Sequence, residues 1–186
     1  MNRITITGTP GTGKKTISKI LSSKLKFELI DINKIAIENK IILKEEEESL
    51  IVDIKKLKKT IKNKLKNNII IIGHLAPLIL DNEDVDLVII LRCSPEELKK
   101  RYIKRGYKEK KIKDNISSEI LDTYLIESLN TFDSEKLCEI DTSKKQSIEC
   151  VNEIINTYNK DKEKQIGKID WLGEIKTDKK LREYFN

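Results

Sequence analysis

A three-layer α/β/α fold, with helices on both faces of a central parallel sheet, follows from three features of the 186-residue sequence. Short β-rich apolar runs alternate with longer amphipathic stretches, the pattern of strands joined by crossover helices. One run, "NIIIIG" (68–73), is apolar at every inner position, as a strand covered on both faces must be. The first run, finally, delivers a glycine-rich loop that opens directly onto a helix.

Taken in order, "RITIT" (3–7) is the strand that carries the loop, and "KTISKILSSKL" is the helix, with Ile17, Ile20, Leu21 and Leu25 on one face. "FELIDI" (27–32) is a second short strand ending at Asp31. From Asn33 to Lys66 the chain is lysine- and glutamate-rich with helical spacing, and its acidic run "KEEEES" (44–49) predicts a loop or a helix start. "NIIIIG" and "VDLVIILR" (85–92) are the next strands. "SPEELKKRYIKRG" is a helix with Ser94 as its cap, Pro95 in its first position and Gly106 as its stop. A basic connector, "YKEKKIK" (107–113), leads to one helix over 114–130. "LCEIDTS" (137–143) is the last strand and 147–160 the last helix. This gives one domain over 1–160, with 33–66 as an inserted region, 106–114 as a short basic lid and 161–186 as a polar tail. The tail holds the only Trp, in "IDWL" (169–172), a residue that either pins the segment to the domain or anchors a partner.

Composition narrows the classes of function. Charged residues make up 37% and no run approaches the roughly 18 apolar residues of a membrane span, so no membrane role is expected. Met1 to Thr7 leads straight into a strand, so no signal peptide is expected. Cys93, Cys138 and Cys150 are too scattered for a disulfide framework or a zinc site, and suit a reducing cytoplasm. The net charge is +6, but the lysines are spread over many segments, and the Lys, Ile and Asn bias matches an AT-rich genome. Nucleic acid is therefore expected only as an indirect contact.

The chemistry lies in "GTPGTGKKT" (8–16). Gly8, Gly11 and Gly13, with Pro10 and Thr12 between them, let backbone N–H groups converge on phosphate oxygens. The helix start adds its partial positive charge, Lys14 reaches the terminal phosphates, and Thr16 is placed for the α-phosphate. The pattern G-x-x-x-x-G-K between a strand and a helix is the phosphate-binding loop of P-loop NTPases, so ATP is the expected ligand. One position is out of pattern: Lys15 stands where Ser or Thr gives a hydroxyl to Mg²⁺.

"GTPGTGK", "LIDINKIAIE", "IGHLAPLI" and "VIILRCSPEELKKRYIKRGYKEKKIKDNISSEIL" together resemble the archaeal and eukaryotic nuclear-type adenylate kinases, isoenzyme six or CINAP-like, over about residues 1–158. The resemblance implies transfer of phosphate from ATP to AMP with Mg²⁺, an NMP-binding insertion, and a lid. It also implies an ATPase role in small-subunit ribosome maturation and rRNA processing, with a ribosomal protein of the small subunit as partner. Phosphoryl transfer needs mobile cations that close over the phosphates. Arg101 and Arg105, four apart on one helix, are candidate clamps; Lys110 and Lys111 lie in the lid, and Arg92 at a strand end is a candidate nucleotide contact. On the acceptor side, Asp31 could orient metal-bound water, while Asn33 and Asp53 are either acceptor contacts or, respectively, a helix cap and a surface carboxylate. His74, the sole histidine, matches the end of the family's acidic-x-His triplet, whose acidic place holds Ile72.

Lys15 and Ile72 both concern magnesium. An ammonium a few ångströms from Mg²⁺ at an effective dielectric near 20 is repelled by on the order of several kcal/mol. Lys15 could swing outward and leave water in the hydroxyl's place. It could itself neutralise phosphate, or transfer could be lost and the protein act as a nucleotide-gated, catalytically weak ribosome assembly factor. A kinase of another small acceptor, such as shikimate or a nucleoside, is the enzymatic rival.

Overall fold

The computed structural model describes residues 2–46, 49–161, 163–175 and 183–185. The chain opens with β1 (Arg3–Thr7), the glycine loop and α1 (Lys14–Leu25), then β2 (Glu28–Asp31) and α2 (Ile32–Glu38). A hairpin of β3 (Ile42–Glu46) and β4 (Ser49–Val52) precedes α3 (Ile54–Lys62), β5 (Ile69–Ile72) and the single turn α4 (Ala76–Ile79). β6 (Leu87–Arg92) leads to α5 (Pro95–Lys104), α6 (Glu109–Ile120) and α7 (Thr123–Thr131). β7 (Leu137–Asp141), α8 (Ser147–Tyr158) and the short α9 (Trp171–Glu174) complete the described elements.

The main sheet has the order β2-β5-β1-β6-β7, with every pairing parallel. The expected three-layer fold is therefore present. Its central strand β1 lies between β5 and β6, so the loop it delivers emerges at the middle of the sheet. The all-isoleucine β5 is explained by its two faces. Ile69 and Ile71 join one buried cluster with Ile61 of α3 and Ile79 of α4, while Ile70 and Ile72 join another with Ile17 and Leu21 of α1 and Val151 of α8. A third cluster, of Cys93, Leu98, Tyr102, Ile116, Ile120, Trp171 and Tyr184, seals α5 and α6 against the tail. The Trp171 ring thus pins its segment to the domain.

Local chemistry sets the helix boundaries. Ser94 Oγ accepts from the Glu97 N–H and Pro95 takes the first turn of α5, as the sequence predicts. α2 and α3 bear out the helical expectation at the two sides of 33–66, and the hairpin between them corrects it over 42–52. Ile42 pairs with Val52 and Lys44 with Ile51 in an antiparallel ladder, so β-branched residues outweigh the Lys/Glu spacing. Glu47 and Glu48, in the acidic run expected as a loop or helix start, lie outside the described residues. The single helix expected over 114–130 is two, broken where Asp122 takes the left-handed conformation (φ 55°), and α6 already begins at Glu109 within the expected basic connector.

Candidate active site

Strand ends and helix starts converge at the carboxyl edge of the sheet, where α/β folds place their ligands. The loop after β1 is held in shape from behind. Gly8 (φ 121°) approaches the β6 backbone so closely that a Cβ would lie 2.3 Å from the Leu91 carbonyl oxygen. A Cβ on Gly11 (φ 95°) would meet the Tyr102 ring at 2.6 Å. The Tyr102 hydroxyl in turn donates to the Pro10 carbonyl, and the Thr12 hydroxyl to the Thr9 carbonyl at 2.9 Å. These two glycines are needed for the close approach of the loop to β6 and α5, a packing reason beside the phosphate contact expected from the motif.

Lys14 is folded over the loop, donating to the carbonyls of Gly8 at 2.5 Å and Thr9 at 2.9 Å. Burial lowers its pKa to about 7, and the positive charge of Arg105 adds to that, against the pull of Glu119 and Asp31. An ammonium so easily deprotonated gains most from an arriving phosphate. Gly13 caps α1 with no side-chain hydrogen bond, and no acidic residue stands in the first turn of the helix. Lys14, Lys15 and the helix dipole therefore place positive charge together, an arrangement that suits a polyanion.

Lys15 reaches across to β2: its Nζ lies 3.2 Å from Asp31 Oδ2. The other oxygen of Asp31 accepts from the Asn33 and Lys34 N–H groups, capping α2. The cap expected at Asn33 is thus supplied by Asp31, with Asn33 in the first turn behind it. Asp53 caps α3 by accepting from the Lys56 N–H at 3.0 Å, so the surface carboxylate has a structural role of its own.

The expected magnesium site does not fit the residues present. Lys15 offers an ammonium where a hydroxyl oxygen is wanted, and Ile72 is buried within the apolar cluster where a carboxylate is wanted. Both oxygens of Asp31 are engaged. Among the described residues no group of three or more His, Cys, Asp or Glu could hold a metal.

His74 follows β5 and is held neutral. Burial, with a smaller contribution from the Lys14 charge, lowers its pKa to about 4, and its ring stands edge-to-face with Tyr124 at 6.1 Å. Of the two expected clamps, Arg101 braces the loop, donating to the Gly11 carbonyl at 3.2 Å and the Thr142 carbonyl at 2.9 Å. Arg105 closes α5 as its C-terminal cap and is exposed. Thr16 is exposed at the start of α1.

Arg92 does not take the nucleotide contact expected of it. Its side chain is 2% exposed and donates to Glu119 at 2.8 Å, Glu139 at 2.5 Å and Asp122. Burial opposes its charge most strongly, but the three carboxylates hold the guanidinium protonated. One cation against three acids leaves negative charge in excess, and burial pushes the Glu139 carboxyl upward. Sequence reasoning missed Glu119 altogether. This buried carboxylate also accepts from the Thr9 hydroxyl, the Cys93 N–H at 3.0 Å and the Trp171 indole at 3.0 Å. It missed Thr142 too, whose hydroxyl donates to the Thr12 carbonyl at 3.0 Å. Neither lies in a phosphate-loop pattern, and only the three-dimensional return of α6 and β7 to the loop brings them in.

Comparison with known proteins shows the family and the fold. A family model described as an AAA domain matches residues 4–122. A Methanocaldococcus jannaschii protein named "Putative adenylate kinase" is 41% identical, over 91% of this chain and 92% of its own length. A Thermococcus gammatolerans protein of the same name is 36% identical over 90% and 92%. Among solved structures, Bacillus subtilis YorR in complex with phosphorylated GDP aligns with a TM-score of 0.61 at 21% identity, covering 86% of this chain and 97% of that one. Shikimate kinase from Acinetobacter baumannii in complex with shikimate aligns at 0.61 and 16% identity, over 87% and 95%. These structural likenesses establish the shared fold.

Proposed function

The chain belongs to the family of these archaeal adenylate kinase-like proteins, and from that premise we propose that it transfers the γ-phosphate of ATP to AMP, giving two ADP. The observation that carries this reading is Lys14. It is folded on the Gly8 and Thr9 carbonyls at the start of α1, with Arg101 against Gly11 and Arg105 close enough to depress its pKa. In the transfer, an AMP phosphate oxygen forms a bond to Pγ while the bond from Pγ to the β,γ-bridging oxygen breaks, and that oxygen leaves with ADP. Loop amides from Gly8 to Thr16, including those of Thr12 and Gly13, hold the donor phosphates. Lys14 spans the β- and γ-phosphates, and Arg101, leaving its resting carbonyl contacts, and the exposed Arg105 bear on the transferring group, with 106–114 as the lid. Asp31, Asn33 and Asp53, on the 33–66 side, face the acceptor, and neutral His74 lies beside Lys14 as a hydrogen-bonding group. Any magnesium that accompanies ATP would be held by phosphate and water rather than by this chain's side chains.

The test is ADP formation that requires both ATP and AMP, followed in a coupled assay on the full chain and on Lys14→Ala. Dependence on both nucleotides, lost in the variant, supports the reading; ATP turnover indifferent to AMP contradicts it.

A second reading follows from Lys15 and Ile72. With no side-chain oxygen at either position, the chain would be a weak enzyme that uses ATP to gate binding of a small-subunit ribosomal protein in the cytoplasm. The CINAP-like resemblance of the Leu91–Glu119 block supports this finer assignment.

A further inference from the structure

We propose that Lys15 supplies the positive charge which the loop lacks through its missing metal ligands, so that the site takes a nucleoside triphosphate free of divalent cation, and that Asp31 is the seat on which Lys15 rests until the nucleotide arrives. This rests on the reading of residues 8–16 as an ATP site.

Three observations carry it. The first is the donor set: an ammonium and an aliphatic side chain stand at the two positions that would hold or orient a metal, and they err in the same direction. A chain that had lost one ligand would show a gap there, whereas Lys15 puts a cation in its place.

The second is the contact between Lys15 and Asp31. The carboxylate divides its oxygens, Oδ1 to the N-terminus of α2 and Oδ2 to Lys15 at 3.2 Å, so a metal-bound water would have to share Oδ2 with an ammonium. Lys15 is not fixed there. Its side chain is 71% exposed, against 16% for Asp31, and an ion pair with so exposed a partner is weak enough to exchange for a polyphosphate. The lysine arm starts one residue after Lys14, in the first turn of the helix that follows the glycine loop.

The third is the local field. α1 begins with two consecutive lysines, a glycine cap and no acidic residue in its first turn; Asp31, from another strand, is the carboxylate paired with Lys15 there. Free ATP brings its full negative charge to this field. ATP chelated by Mg²⁺ brings two charges fewer, together with a dication that Lys15 repels. The preference between the two forms should therefore be the reverse of that of a loop bearing Ser or Thr.

The experiment is a titration of the full chain with ATP by calorimetry, at fixed ionic strength, in EDTA and in excess MgCl₂. It is made on the wild type, Lys15→Thr, Lys15→Met and Asp31→Asn, with thermal melts to confirm folding. The wild type is expected to bind metal-free ATP at least as tightly as the magnesium form. Lys15→Thr and Lys15→Met should each weaken binding of the free form by roughly tenfold or more, the scale of a hydrogen bond between charged groups. The Thr variant alone should gain affinity for the magnesium form, because it alone restores a hydroxyl. Asp31→Asn, by releasing Lys15, should tighten binding of free ATP. A wild type that prefers the magnesium form tenfold, or Lys15 variants with unchanged affinity for free ATP, would overturn the role of Lys15 while leaving the ATP site intact. A folded wild type that binds neither form would overturn the ATP site, and this proposal with it.

Discussion

The Trp171 indole N–H donates to Glu119 Oε1 at 3.0 Å, and the other oxygen of that carboxylate accepts from the Thr9 hydroxyl in the phosphate loop. One buried side chain on α6 thus joins a residue from the far end of the chain to the loop that would hold a nucleotide. Trp171 is 6% exposed, so its ring also contributes burial to the cluster between α5 and α6.

Trp171→Phe keeps most of the ring and removes the donor. Oε1 of Glu119 still accepts from Arg92 and from the Cys93 N–H, so no charge is orphaned. The expected loss is that of one hydrogen bond to a charged group, about 1.5–3 kcal/mol. Urea unfolding followed by circular dichroism measures it; an unchanged midpoint would mean the indole contact carries no stability.

Arg92→Met should act on folding. It leaves Glu119 and Glu139, 2% and 1% exposed, without their guanidinium, and breaking a buried pair in this way costs about 3–5 kcal/mol. The same denaturation experiment reads it, and a melt within error of the wild type would show that the carboxylates find other compensation.

The pKa of Lys14, near 7, makes nucleotide binding a proton-linked event. Because this value is below the usual 10.5, the unfolded chain holds the proton where the folded apo protein does not. Stability of the apo protein should therefore rise with pH between about 7 and 10.5. Phosphates restore the ammonium, so at pH 8 binding of ATP should take up close to one proton. Calorimetry in buffers of differing ionisation enthalpy detects this, and zero uptake at pH 8 would contradict the burial assigned to Lys14.

His74 should remain an uncharged imidazole well below neutral pH. With its pKa lowered from 6.5 to about 4, the unfolded state protonates first as the pH falls, and stability should decline between those two values. It is the single histidine of the chain, so its ring signals in proton NMR are unambiguous. A midpoint near 4 agrees with its burial beside Lys14; a midpoint at 6.5 would place it in solvent.

Much of this was legible in the residues. The strands wrote themselves in isoleucine because both faces of β5 and β6 are buried, and Ser94, Pro95 and Gly106 marked α5 by cap and stop chemistry. The glycine loop was legible because few residues but glycine tolerate the approach of Leu91 and Tyr102. The hairpin β3–β4 was not, since its lysines and glutamates imitate helical spacing and only strand pairing shows the role of Ile42, Ile51 and Val52. Arg92 was misassigned for a related reason. A cation at a strand end near the loop looks the same in sequence whether it meets phosphate or carboxylate, and the acids that claim it lie 27, 30 and 47 residues further along.

The most direct test of the central claim follows the label. ATP carrying ³²P in its γ-phosphate, incubated with the full chain and unlabelled AMP, should yield labelled ADP, with the label in the β-phosphate of the molecule built on AMP. Label recovered only as inorganic phosphate, at a rate that AMP does not change, would contradict an adenylate kinase and leave an ATPase in its place.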